Sequence, residues 1–196
     1  MATQQKGNGR ANALKGELLV QLEENSTAPV EAVYDLLADI QSHLEWGGKR
    51  QPKEKFRLLS IEGPEGPASV GTEFHSTGAD AMGRFADSSV VTEASRPSLF
   101  EFVTEARLST KKDRIVEWTN VHRYELVRDG QGCRVSYTLR TIRISELLGG
   151  LAMFKVPGLR SLGLKISGSY ARRGLRNLVQ MAEERAGSAP AAGGRS

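Results

Sequence analysis

Apolar and polar residues alternate from Glu17 to Glu24, with Leu18, Val20 and Leu22 on one side and Leu19, Gln21 and Glu23 on the other. This period of two predicts a half-buried strand. Pro29 suits the first turn of a helix, since it lacks only an N–H that would have no intrahelical partner. Val30, Val33, Tyr34, Leu37 and Ile40 then recur every three or four residues, which predicts an amphipathic helix over 29–40. Residues 41–55 read as irregular and hold Trp46-Gly47-Gly48. From Phe56 to Ile144 strand-like runs are separated by turn signals: 56–62, 70–77, 84–93, 99–106, 114–127 and 133–144. No crossover long enough for parallel pairing lies between them, so they predict an antiparallel meander and, with the first strand, seven strands. Residues 145–164 are apolar but broken by glycines, Pro157 and basic residues, and 166–186 read as a long helix with Leu175, Leu178, Val179 and Ala182 on its apolar side.

A chain of 196 residues with 39 % hydrophobic and 26 % charged residues fits one globular domain. The reading places that domain at 17–186, between tails at 1–16 and 187–196 that lack apolar periodicity. The net charge of +4 comes from those tails, which hold four of the 27 basic residues and no acid, so 17–186 carries 23 of each sign. A neutral body gives no reason to expect nucleic-acid binding. The single Cys133 cannot form an internal disulfide, and no signal-peptide pattern opens the chain, so the expected compartment is the cytoplasm. No uninterrupted apolar run reaches the roughly twenty residues of a membrane span.

Three short stretches carry a family resemblance. Ala28-Pro29-Val30-Glu31-Ala32-Val33-Tyr34 resembles the entry to the first helix of the START-like (SRPBCC) superfamily, which includes polyketide cyclase/dehydrase and lipid-transport proteins. Val70-Gly71-Thr72 and Val91-Thr92-Glu93-Ala94-Ser95-Arg96-Pro97 resemble two of its turns. The resemblance covers 17–186 and implies an α+β helix-grip fold: a curved seven-stranded antiparallel sheet wrapped around a long C-terminal helix, with a ligand cavity between. Fold alone does not fix function.

Strand parity nominates the residues that would line such a cavity. Glu101 and Glu105 belong in water, which turns Phe100, Phe102 and Thr104 inward. By the same parity Trp118, Asn120, His122 and Tyr124 face inward from the next strand and Tyr137 from the last. Hydrogen-bonding groups set among aromatic rings suit an amphipathic ligand with a few polar atoms; the competing reading has them bond one another and fill the core. The register expected of the last two strands brings His122 close to Tyr137. Trp46 and Phe154 are expected near the entrance, with 147–164 serving as a lid, as a permanently packed helix, or as a membrane contact aided by Lys155 and Arg160. The facing of Asp87 and Glu93 is not decided by pattern.

The sequence carries no metal-ligand spacing among His43, His75 and His122, no P-loop and no nucleophile elbow, and calls for no cofactor. Three functions follow. The first is sequestration or transport of a hydrophobic or amphipathic small molecule, such as a lipid, polyketide or aromatic metabolite, by a monomer or homodimer that touches membranes only transiently. The second is a polyketide cyclase, aromatase or dehydratase using polar cavity residues, with His122 as candidate catalytic group. The third is a protein-interaction module.

Overall fold

The alternation at the start of the chain becomes β1 (Leu18–Ser26), whose inward Leu18, Val20 and Leu22 are buried. A computed structural model describes residues 16–52, 57–147 and 149–188; most of both expected tails, Phe56 and Leu148 lie outside the described residues. The amphipathic stripe forms α1 (Val30–Ala38) and buries Val33 and Leu37 completely. The stretch read as irregular is instead a short 3-10 turn (Ile40–Ser42) followed by a π-helical turn (Glu45–Lys49). Asn177 Nδ2 donates to the carbonyl of Trp46 at 3.0 Å and so ties that turn to the C-terminal helix.

Six more strands complete the sheet: β2 (Arg57–Glu62), β3 (Glu73–Ala79), β4 (Gly83–Ser95), β5 (Leu99–Thr110), β6 (Ile115–Asp129) and β7 (Gly132–Ile144). All pairings are antiparallel in the order β1-β7-β6-β5-β4-β3-β2, the meander expected from the turn signals. β3 starts three residues later than the pattern predicts. Val70 is 63 % exposed in a turn where Gly71 has φ +87°, a left-handed conformation that costs glycine little.

The last helix, α2 (Pro157–Ser188), begins nine residues earlier and ends two residues later than expected. Pro157 takes the first helical position, where its missing N–H costs nothing. Gly163 continues the helix because it lies against the preceding 3-10 segment (Gly149–Lys155): a Cβ there would stand 2.6 Å from Phe154 Cε1 and 2.7 Å from Met153 Sδ. Periodicity missed these turns because their apolar residues face both inward and outward.

Two apolar clusters form the interior. The larger joins α1, the C-terminal half of α2 and one end of the sheet, through Val33, Leu37, Phe100, Tyr124, Val135, Leu175 and Leu178. The smaller gathers Leu18, Phe85, Leu108, Val116, Ile144, Leu147 and Phe154 at the other end. Leu164 of α2 packs against both.

Candidate functional site

The register fixes which side chains share the inner face between the clusters. One row across the sheet runs Ser76, Asp87, Ala106, Trp118, Ile144. The next runs Phe74, Ser89, Thr104, Asn120, Thr141, and a third pairs Val91, Phe102, His122 and Leu139. Asp87 therefore points inward, and Glu93 is exposed beyond a bulge between Val91 and Glu93. The bulge breaks strict alternation, which is why pattern could not assign the two acids.

Most polar groups of this belt are paired. Ser89 Oγ and Thr104 Oγ1 are 2.8 Å apart. Thr141 Oγ1 donates to Asn120 Oδ1 at 2.7 Å, and His122 Nδ1 lies 2.8 Å from the Tyr137 hydroxyl, as the expected register requires. Ser76 donates to the Asp87 carboxylate, but Asp87 Oδ1 is buried with no partner. Burial raises the Asp87 pKa to about 7, against the smaller opposing effect of the Ser76 hydrogen bond.

The sequence-predicted residues fall into three groups. Phe100, Phe102, His122, Tyr124 and Tyr137 form one aromatic array, with His122 stacked on Phe102 at 4.6 Å between centroids and Tyr124 against Tyr137 at the same separation. Burial drives the pKa of His122 down to about 3, with a smaller push from His43, and raises both tyrosines. Asn120 stands among polar side chains, and Trp118 packs, partly exposed, against the smaller apolar cluster. Trp46 joins the array through His43, 4.7 Å away, whereas Phe154 stands apart in the smaller apolar cluster.

Sequence reasoning did not name His43, Ser76 or Ser89 as interior groups, and it left the facing of Asp87 undecided. His43 is 3 % exposed; its Nε2 donates to the carbonyl of Leu37 at 2.8 Å, and burial lowers its pKa to about 4. It sits in the segment without periodicity, so no pattern could place it.

Between the clusters the inner face is incompletely covered. Trp118, Asn120, His122, Leu139 and Thr141 all keep part of their surface open, although His122 is surrounded by protein. On α2, Ala171 is partly exposed while it packs against the larger cluster, and a Cβ on Gly174 would meet only Gln51 Nε2, at 3.9 Å. The helix lies closest to the sheet along β1 rather than over its centre. Asn120 Nδ2 and His122 Nε2 have no hydrogen-bond partner among the described residues. These residues leave partly open surface on the inner face of the sheet, beside the aromatic array at Phe102 and His122.

No protein-family model and no curated protein sequence matches the chain. Solved structures do share its architecture. An uncharacterised protein of Rhizobium leguminosarum matches with a TM-score of 0.62 at 14 % identity, covering 88 % of this chain and 97 % of that one. Ara h 8.0201 matches with a TM-score of 0.56 at 13 % identity, covering 86 % and 99 %. Major latex-like protein 151 of Panax ginseng matches with a TM-score of 0.55 at 8 % identity, also covering 86 % and 99 %. The chain has the α+β helix-grip fold; similarity at these identities extends to the fold alone. Among the described residues no helix is long and apolar enough to cross a membrane, and no group of three or more His, Cys, Asp or Glu is arranged to hold a metal.

Proposed function

We propose that this protein binds an amphipathic small molecule, a lipid-like or aromatic compound with a few hydrogen-bonding atoms, in a recess between the sheet and α2. The observation that carries the reading is that Trp118, at the edge of the smaller apolar cluster, and Asn120 and His122 on the rows beside it face inward and still keep open surface. Large aromatic and amide side chains on the inner face of a sheet are normally covered, so partly open ones offer contacts that a compound can complete. A ligand would restore what the fold leaves open: an acceptor atom meets Asn120 Nδ2, while Phe102 and Trp118 offer ring faces. Native mass spectrometry of the purified protein tests this. A small-molecule adduct, or stoichiometric uptake from a panel of fatty acids, sterols and polyphenols, supports the reading; neither adduct nor uptake refutes it.

A second reading, proton transfer on a bound compound, is favoured by one observation: Asp87 is an inward carboxyl with an unpaired oxygen, in the same row as Trp118. His122 suits that role less, because a ring with its pKa near 3 is a weak base at neutral pH. Loss of turnover in Asp87→Asn with adduct binding retained would support catalysis. A bound compound recovered unchanged from the wild-type protein would leave binding as the function.

A further inference from the structure

The outer face of α2 breaks the usual rule for a surface helix. Leu164, Gly168, Ala171, Leu175 and Leu178 turn toward the sheet, yet Leu159, Leu162 and Ile166 project from the opposite side at 47 %, 50 % and 41 % exposure. Their three- and four-residue spacing makes a continuous ridge, which Val156, 48 % exposed, extends at its N-terminal end. Isolated exposed apolar residues need no explanation, but a contiguous ridge does.

Charge along this segment is one-sided. Between Glu146 and Glu183 there is no acidic residue, while Lys155, Arg160, Lys165, Arg172, Arg173 and Arg176 are all basic. Arg172 and Arg176 pair with Glu24 across a groove of about 610 Å³ beside β1. Lys165 and Arg173 have no ion pair among the described residues and stand beside the apolar ridge. The body of the chain balances only with this segment included; the rest of 17–186 carries 17 basic residues against 23 acidic ones, so the basic excess is local.

We propose that the N-terminal half of α2 docks on an anionic lipid surface, with Val156, Leu159, Leu162 and Ile166 entering the headgroup boundary and Lys165 and Arg173 facing lipid phosphates and carboxylates. A convex apolar ridge flanked by cations fits a planar interface, where apolar burial and electrostatic attraction add. The dock does not depend on the recess being occupied, and it holds whether or not a ligand is found there.

The test is co-sedimentation of the full chain with vesicles of phosphatidylcholine containing about one quarter phosphatidylserine, set against phosphatidylcholine alone. The wild type binds the mixed vesicles and loses binding as salt rises. Lys165→Glu with Arg173→Glu lowers the partition coefficient by at least tenfold, taking roughly fivefold for each removed charge, and Leu162→Ser with Ile166→Ser lowers it comparably. Val127→Ser, at an exposed apolar position on β6, leaves it unchanged. Hydrogen exchange of the wild type with mixed vesicles, which needs no variant, gives protection confined to 156–176. Equal binding by wild type and both double variants, protection elsewhere, or no vesicle binding with the ridge instead covered by a second copy or an acidic protein would each overturn the proposal.

Discussion

His122 on β6 and Tyr137 on β7 are joined across the strand pair, with Nδ1 and the phenolic oxygen 2.8 Å apart. The imidazole also lies flat on Phe102, with its plane 10° from parallel. Those two contacts fix ring position and leave Nε2 without a hydrogen-bond partner among the described residues. Replacing Tyr137 by Phe removes a partner from a surrounded ring nitrogen and is expected to cost about 1–2 kcal/mol in urea unfolding. Because the Tyr137 hydroxyl also bonds Tyr124, a double cycle with His122→Phe should recover only the part of that cost that comes from the His122 contact. Additive losses would show that the contact contributes nothing.

Three interior groups make stability depend on pH in opposite directions. His43 and His122 have folded pKa values of about 4 and about 3, below the unfolded 6.5, so the unfolded chain binds more protons and their stabilisation is lost as pH falls below 6.5. Asp87 titrates at about 7 when folded against 3.8 unfolded; the folded chain holds the extra proton, and stability is lost as pH rises between those values. The expected result is that Asp87→Asn stabilises the protein at pH 8 by up to an order of 4 kcal/mol and has far less effect at pH 4. Urea unfolding of both proteins across pH 4–8 checks this, and an identical shift at every pH would contradict it.

Much of the architecture could be read from pattern, because an antiparallel sheet with one wet face writes its parity into every strand. Phe100, Phe102, Trp118, Asn120, His122, Tyr124 and Tyr137 all face inward for that reason. Asp87 was hidden by the bulge two pairs further along β4, and His43 by a segment built from 3-10 and π turns, which have no repeat to detect. The first turns of α2 were hidden because one side of that segment serves the core and the other presents an apolar ridge to solvent. Phe154 shows the same limit: its apolar character was legible, but its burial with Leu108 and Val116, away from the recess, arises from tertiary packing.

Two glycines of α2 give opposite predictions for an added side chain. A side chain at Gly174 meets nothing closer than 3.9 Å, so Gly174→Ala should stabilise by about 0.5–1 kcal/mol through helix propensity alone. At Gly163 the nearest atoms stand at 2.6 Å and 2.7 Å, and Gly163→Val should destabilise by about 1–3 kcal/mol as Phe154 and Met153 are displaced. Thermal unfolding of the two variants tests whether the segment before α2 is packed or swings as a lid. A neutral Gly163→Val would favour the lid.

The most direct test of the recess is a fluorescence titration with anilinonaphthalene sulfonate in a Trp46→Phe background, which leaves Trp118 as the sole indole donor. The account predicts one saturable site per chain, energy transfer from Trp118 to the bound probe, and loss of that site in Asn120→Phe, where the larger ring occupies the open volume while the fold survives. Absence of a saturable site, or a site undiminished by Asn120→Phe, would contradict it and leave the belt of Asp87, Asn120 and His122 as a feature of packing alone.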